Sequence, residues 1–235
     1  MQRTIAELES ELAILYSVTQ TVHSLELAQV LQKIVKIASS VTAADSCLIY
    51  VLDKDKEQLI LKASKNPHKK LLEKITLRVG EGITGWVAQH KKPVVIESRA
   101  DQDPRFKFFQ KLPEDRYEAF LSVPILNKSK VIGVINIQHK QKHTYSNNEI
   151  HLLTAIGKLV GGAVVNALLI EETMHLKEAL VLRKLVERAK GIIMKKTGLS
   201  EQEAYALMQK QSMKSGKSLK EVSDAVVLSD TFKLG

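Results

Sequence analysis

The chain changes hydrophobic period twice along its length. Residues 4–39 repeat apolar positions at helical steps, first through Leu8, Leu12, Leu15 and Val18, then through Val30, Leu31, Ile34, Val35 and Ala38, and predict one or two helices. At Cys47 the period falls to two. Residues 47–52 and 58–64 read as strands joined by the Asp53-Lys54-Asp55-Lys56 turn, a hairpin. Residues 94–96 make a short strand. Residues 98–117 form a long polar and aromatic loop, and a loop of that length in a compact domain is usually a functional one, often a lid. Residues 119–126 and 130–138 form a second hairpin turning at Asn127-Lys128-Ser129. From Asn148 the helical period returns and runs without a proline to Lys196.

The end of that run carries two stripes. Leu185, Val186, Ala189, Ile192 and Ile193 form an apolar one. Lys184, Arg188 and Lys195 form a cationic one, with Arg183 and Lys190 beside it. Gly191 interrupts the helix at a cost of about 1 kcal/mol relative to Ala, which close approach by another helix or a ligand would repay. Thr197-Gly198 ends the helix. Ser200 with Glu203 is a capping-box signature for a second helix through Ala204, Leu207 and Met208. Ser215-Gly216-Lys217-Ser218 breaks it, and Leu219, Val222, Val226 and Val227 begin a third.

Composition narrows the class. With 235 residues, 44% of them apolar, the chain has one to two domains and a real core. No uninterrupted apolar run reaches the roughly 18 residues of a membrane span, and 156–170, with Lys158 and Asn166, reads as a buried helix. The N-terminus has no signal-peptide block. One cysteine, Cys47, excludes an intrachain disulfide framework and reads as a small core residue. These features predict a cytoplasmic protein with no membrane partner. The net charge is +9. Between Lys177 and Lys220, eleven Lys and Arg face four Glu, so +7 of it falls in under a fifth of the chain, the clustering that attracts phosphates.

The run from Ala189-Lys190-Gly191 through Met194, Gly198, Ser200, Glu203-Ala204-Tyr205 and Leu219…Val222 resembles the ANTAR domain, an RNA-binding module of bacterial transcription antiterminators, over about residues 172–232. Ser223 departs from the small apolar residue expected there. Residues 20–170, through "VGEGITGWVAQHKKPVVIESRADQDPRF" and "FLSVPILNKSKVIGVINIQHKQKHTYSNNEIHLLTAI", resemble a GAF domain, a small-molecule sensor fold. The resemblances imply an α+β chain: a GAF-like antiparallel sheet flanked by helices, then a C-terminal three-helix ANTAR bundle joined by a long helix. The boundaries expected are 1–19 for an N-terminal helix, 20–170 for the sensor and 171–235 for the RNA-binding domain. They also imply hairpin loops of leader transcripts as the target.

For RNA the candidates are Arg183, Lys184, Arg188, Lys190, Gly191, Met194, Lys195 and Tyr205; Tyr205 is open between stacking on a base and packing in the bundle. For an unidentified small molecule they are Trp86, Arg99, Arg105, Phe106, Phe109, Tyr117, Ser122 and Asn136, with Phe106, Phe108 and Phe109 alternatively plugging an empty site. Gly80, Gly82 and Gly85 form a GxGxxG run that allows tight backbone where a strand turns into a short helix; a dinucleotide fingerprint would need a βαβ unit, and here hairpins surround it. The seven histidines are scattered, and His139 with His143 reads as a solvated pair in a polar loop. No catalytic, metal or cofactor set stands out: there is no GxSxG elbow or Walker loop, and one cysteine is fewer than GAF relatives that reduce oxidised methionine use. The expectation is a non-enzymatic, signal-responsive regulator that binds hairpin loops in nascent transcripts and prevents termination. The alternative is a DNA-binding regulator using a helix-turn-helix. That would need a basic third helix, and Lys217–Asp224 is mixed in charge. Leu169, Thr173, Leu176 and Leu180 step by four, three and four, a coiled-coil seam predicting a parallel homodimer that the N-terminal seam could join.

Overall fold

The computed structural model describes residues 26–65, 72–107 and 117–232, together with Ala13 and Tyr16. Leu8, Leu12, Leu15 and Val18 of the N-terminal seam, and Phe108 and Phe109 of the long loop, lie outside the described residues. Two compact units result, 1–171 and 172–235.

The first unit is built on one sheet. Strands β1 (Ser46–Asp53), β2 (Gln58–Ser64), β3 (Thr76–Arg78), β4 (Val94–Ile96), β5 (Ala119–Asn127) and β6 (Lys130–His139) stand in the order β3-β2-β1-β6-β5-β4, and every pairing is antiparallel. The two expected hairpins are its core. β3 is the short strand expected before the glycine run. Helix α1 (Leu27–Thr42) and the first half of α3 (Asn147–Thr197) bury Val30, Leu31, Ile34, Leu153, Ile156 and Val160 against one face. Helix α2 (Gly82–His90) buries Ile83, Val87 and Ala88 against the other. The sheet therefore divides two apolar cores. The glycine run before α2 is a turn: Gly80 and Gly82 hold φ of +88° and +67°, a region unfavourable to a side chain.

Helix α3 contains an 18-residue window with mean hydropathy 1.8, long and apolar enough by those measures to cross a bilayer. Lys158 interrupts that window, so the expectation of no uninterrupted apolar run is not contradicted. Residues 156–170 are also buried on one side only. Ile156, Val160, Val164 and Ala167 enter the core, whereas Lys158, Leu159 and Asn166 face outward. Two of the three glycines in this part of α3 are seats for close packing. A Cβ at Gly157 would lie 2.5 Å from the Pro124 carbonyl oxygen, and one at Gly161 1.9 Å from that of Leu126. A Cβ at Gly162 would meet nothing within 4 Å.

The histidine pair is a second correction. His139 is buried, its Nδ1 3.0 Å from the Tyr145 hydroxyl and its Nε2 3.0 Å from the Thr42 carbonyl. A carbonyl only accepts, so Nε2 carries the proton and Nδ1 accepts from tyrosine. His143 stacks on it with centroids 3.9 Å apart and meets Glu149 at 3.1 Å. Cys47 is fully buried as expected, and desolvation pushes its thiol up to about 12.

The second unit contains the end of α3, α4 (Glu201–Ser215) and α5 (Leu219–Thr231). Val186, Ala189, Met208 and Val222 form its small core, flanked by Leu182, Ile193 and Leu219. Reciprocal capping boxes start both short helices, Ser200 with Glu203 and Ser218 with Glu221. Ser223, the departure in the third helix, is fully buried and its hydroxyl donates to the Leu219 carbonyl at 2.7 Å, so the polar atom is satisfied.

Candidate nucleic-acid interface and ligand site

The helical stripes at the end of α3 separate as the periodicity requires. Val186 and Ala189 are buried, and Arg183, Lys184, Arg188 and Lys195 are exposed. Met194 and Tyr205 are each 37% exposed. No other charged side chain in the described residues is as buried as Lys190, one of the RNA-binding candidates. Its Nζ lies 2.8 Å from Glu187 Oε1 and 2.6 Å from Glu201 Oε1, and 6.0 Å from the Tyr205 ring centroid. The hydrogen bonds it donates to the two carboxylates, Glu187 first, hold its pKa above the ordinary lysine value. Lys190 thus joins α3 to the first turn of α4, while its neighbours point outward. The periodicity could not distinguish these fates, because the partner Glu201 is eleven positions away on another helix. Helix α5 has Lys220 against Glu221, Asp224 and Asp230, and Asp230 pairs with Lys196 at 2.7 Å, so it presents no basic recognition face.

In the first unit, Ser122 and Asn136 are cross-strand neighbours on β5 and β6. The Ser122 hydroxyl donates to Asn136 Oδ1 at 2.7 Å, and Asn136 Nδ2 donates to Thr84 Oγ1 at 2.7 Å. This buried chain ties the sheet to α2. Thr84 was not among the sequence candidates; the signal was a polar residue facing inward in a short apolar helix. Gln138, two positions along β6 from Asn136, was also missed. It is 7% exposed, and among the described residues its Oε1 has no hydrogen-bond partner. Around these groups, Phe106 and Tyr117 pack edge-on against Phe120, at 5.8 and 6.4 Å between centroids. Trp86 stacks on His90 at 4.1 Å, and the Arg105 guanidinium lies 5.0 Å from the Trp86 centroid. Arg105 also grips Asp103 through Nε and Nη2 at 2.8 and 2.7 Å, which holds that carboxyl below the usual range. Lys107 pairs with Glu81. Arg99 stands apart: it is exposed in a left-handed turn, its backbone N–H donating to Glu118 at 3.0 Å. Among the described residues no three His, Cys, Asp or Glu gather as a metal site.

The described chain is thus an antiparallel sheet with a buried polar chain on one face, followed by a cationic three-helix unit. The family follows from comparison. A model of the GAF domain matches residues 24–165 and a model of the ANTAR domain matches 174–227, so the chain belongs to the GAF domain family and has the architecture of a GAF–ANTAR regulator. The crystal structure of the GAF domain from Acinetobacter phosphoenolpyruvate-protein phosphotransferase superposes with a TM-score of 0.61 at 25% identity, covering 70% of this chain and 96% of that one. A phosphoenolpyruvate-dependent phosphotransferase system protein of Escherichia coli K12 is 27% identical over 110 residues, 47% of this chain and 15% of its own length. A Nif-specific regulatory protein of Herbaspirillum seropedicae is 26% identical over 161 residues, 66% of this chain and 29% of its own. The chain thus spans less than a third of the length of these curated relatives. A GAF domain followed by an ANTAR domain is an architecture that points to a regulator rather than an enzyme.

Proposed function

We propose that this protein binds hairpin loops in nascent leader transcripts and so prevents transcription termination, under control of a small molecule taken by its sensor. The observation that carries the reading is the outward cationic strip of Arg183, Lys184, Arg188 and Lys195 on an ANTAR-matched helix, beside the exposed aromatic edge of Tyr205. Cations that meet phosphates beside an aromatic that meets an unstacked base suit RNA loops. The sensor's ligand would lie against Phe106, Tyr117 and Trp86 and find an acceptor at Gln138 Oε1 and polar partners in Ser122 and Asn136. We place the protein in the cytoplasm, where transcripts are made. We further propose that it acts as a parallel homodimer through Leu176 and Leu180 of α3, which are 65% and 52% exposed.

Arg188→Glu combined with Lys195→Glu should weaken binding of a labelled hairpin. It should also flatten the dependence of log affinity on log salt, by about one unit of slope for each phosphate no longer neutralised. Unchanged affinity and slope would put the RNA elsewhere. Competition with promoter-length duplex DNA tests the nucleic acid: displacement as effective as that by unlabelled hairpin would favour the DNA-binding alternative.

A further inference from the structure

This inference rests on the RNA reading above and concerns how the same surface chooses its base. Three observations meet at Lys190. The first is charge. Its ammonium, on a side chain 9% exposed, sits between the carboxylates of Glu187 and Glu201, which are 55% and 65% exposed. One positive and two negative charges leave this spot at −1 inside a segment that is otherwise strongly cationic, so it does not attract a phosphate. Each carboxylate spends one oxygen on Lys190, and the second oxygen of each makes no hydrogen bond among the described residues. The Lys190 bond holds Glu201 below the usual carboxylate range, so it acts only as an acceptor near neutral pH.

The second observation is an aromatic edge. Tyr205 lies one turn beyond Glu201 on α4, half-exposed, with its ring near the same ammonium. The third is a gap in the helix surface. Gly191 adjoins Lys190 and lies one turn beyond Glu187 on the strip that Glu187 shares with it. It is exposed, and a Cβ placed there meets nothing within 4 Å. Alanine would fit and would favour the helix, so the chain's own packing does not call for glycine.

We propose that this is the base-reading centre of the interface. A loop base lies on the bare helix surface at Gly191, stacks against Tyr205, and presents an exocyclic amino group to the free carboxylate oxygens of Glu201 and Glu187. The surrounding cations take the phosphates. Lys190 is a positioning residue that fixes both carboxylates and does not touch RNA. A carboxylate accepts from an amino group and repels a carbonyl, so the site selects an adenine, cytosine or guanine over uracil.

The test uses the full chain and a hairpin enriched on it from a library with a fixed stem and a randomised loop. Each amino-bearing loop base is replaced in turn by its analogue without the amino group, inosine for guanosine and purine riboside for adenosine. One replacement should weaken binding at least tenfold, and on Glu201→Gln the same replacement should cost threefold or less. Gly191→Ala should bind at least tenfold more weakly while melting no lower than the parent. Tyr205→Phe should retain binding and Tyr205→Leu should lose it. Parent-like binding by Gly191→Ala, a lower melting temperature for it, or tolerance of every amino-less base would each overturn the inference and leave the RNA reading standing. If no hairpin enriches, both fall.

Discussion

His139 shows how one side chain sets a pH limit on the fold. Burial is the main cause that holds its imidazole below the ordinary histidine value. The stacked His143 acts in the same direction, and the bond to Thr42 with the charges of Asp45 and Glu149 opposes them. The native chain therefore keeps His139 neutral where the unfolded chain, titrating near about 6.5, has begun to bind a proton. The unfolded state binds more protons in that window, so stability should be full above about pH 6.5 and fall as the pH drops below it. Protonation at Nδ1 would also set a second donor against the Tyr145 hydroxyl. We expect the urea midpoint to fall between pH 7.5 and pH 5.5. Tyr145→Phe should be less stable at the upper pH and change less between the two. A parent midpoint that does not move would refute the assignment. The sequence hid this cluster because its members are polar residues at the end of α1 (Thr42), at the end of β6 (His139) and in the loop before α3 (Tyr145), where no periodic pattern marks burial.

At the scale of elements, the glycines of α3 offer a controlled comparison within one helix. Gly161→Ala drives a Cβ into the Leu126 carbonyl. Overpacking usually costs about 1–3 kcal/mol, and a backbone atom yields less than a side chain, so the upper end is expected. Gly162→Ala meets open space and should gain about 1 kcal/mol of helix propensity. For a chain of this size that is a rise of about 2–4 °C in melting temperature. Equal melting temperatures for the two variants would contradict the helix–strand packing. The hairpins, α2, the long helix and the capping box of α4 were all readable beforehand, because each rests on local period or on a residue pair three positions apart. Which side of α3 each glycine occupies was not readable, since it depends on β5, more than thirty residues earlier in the chain. Lys190 belongs with them: its place in the cationic stripe was visible, but its capture by Glu201 follows from how α4 folds back.

For the whole molecule, the proposed dimer has a direct measurement. The full chain should sediment as twice its monomer mass at micromolar concentration, and Leu176→Asp with Leu180→Asp should shift it to monomer. A parent that is already monomeric and still binds a two-hairpin RNA would remove the dimer. Within the first unit, β5 carries both Ser122 of the buried polar chain and the Pro124 and Leu126 carbonyls on which Gly157 and Gly161 rest. A ligand that shifts Ser122 therefore acts on the strand that seats α3, and α3 supplies the first helix of the RNA-binding unit. The chain's one tryptophan, Trp86, stands near the start of that route, stacked on His90 with Arg105 beside it. Excited at the red edge of its absorption band, the whole protein emits from that single point. A change in its colour or intensity when RNA is added would originate in the RNA-binding unit, making the native chain its own optical gauge of communication between output and sensor.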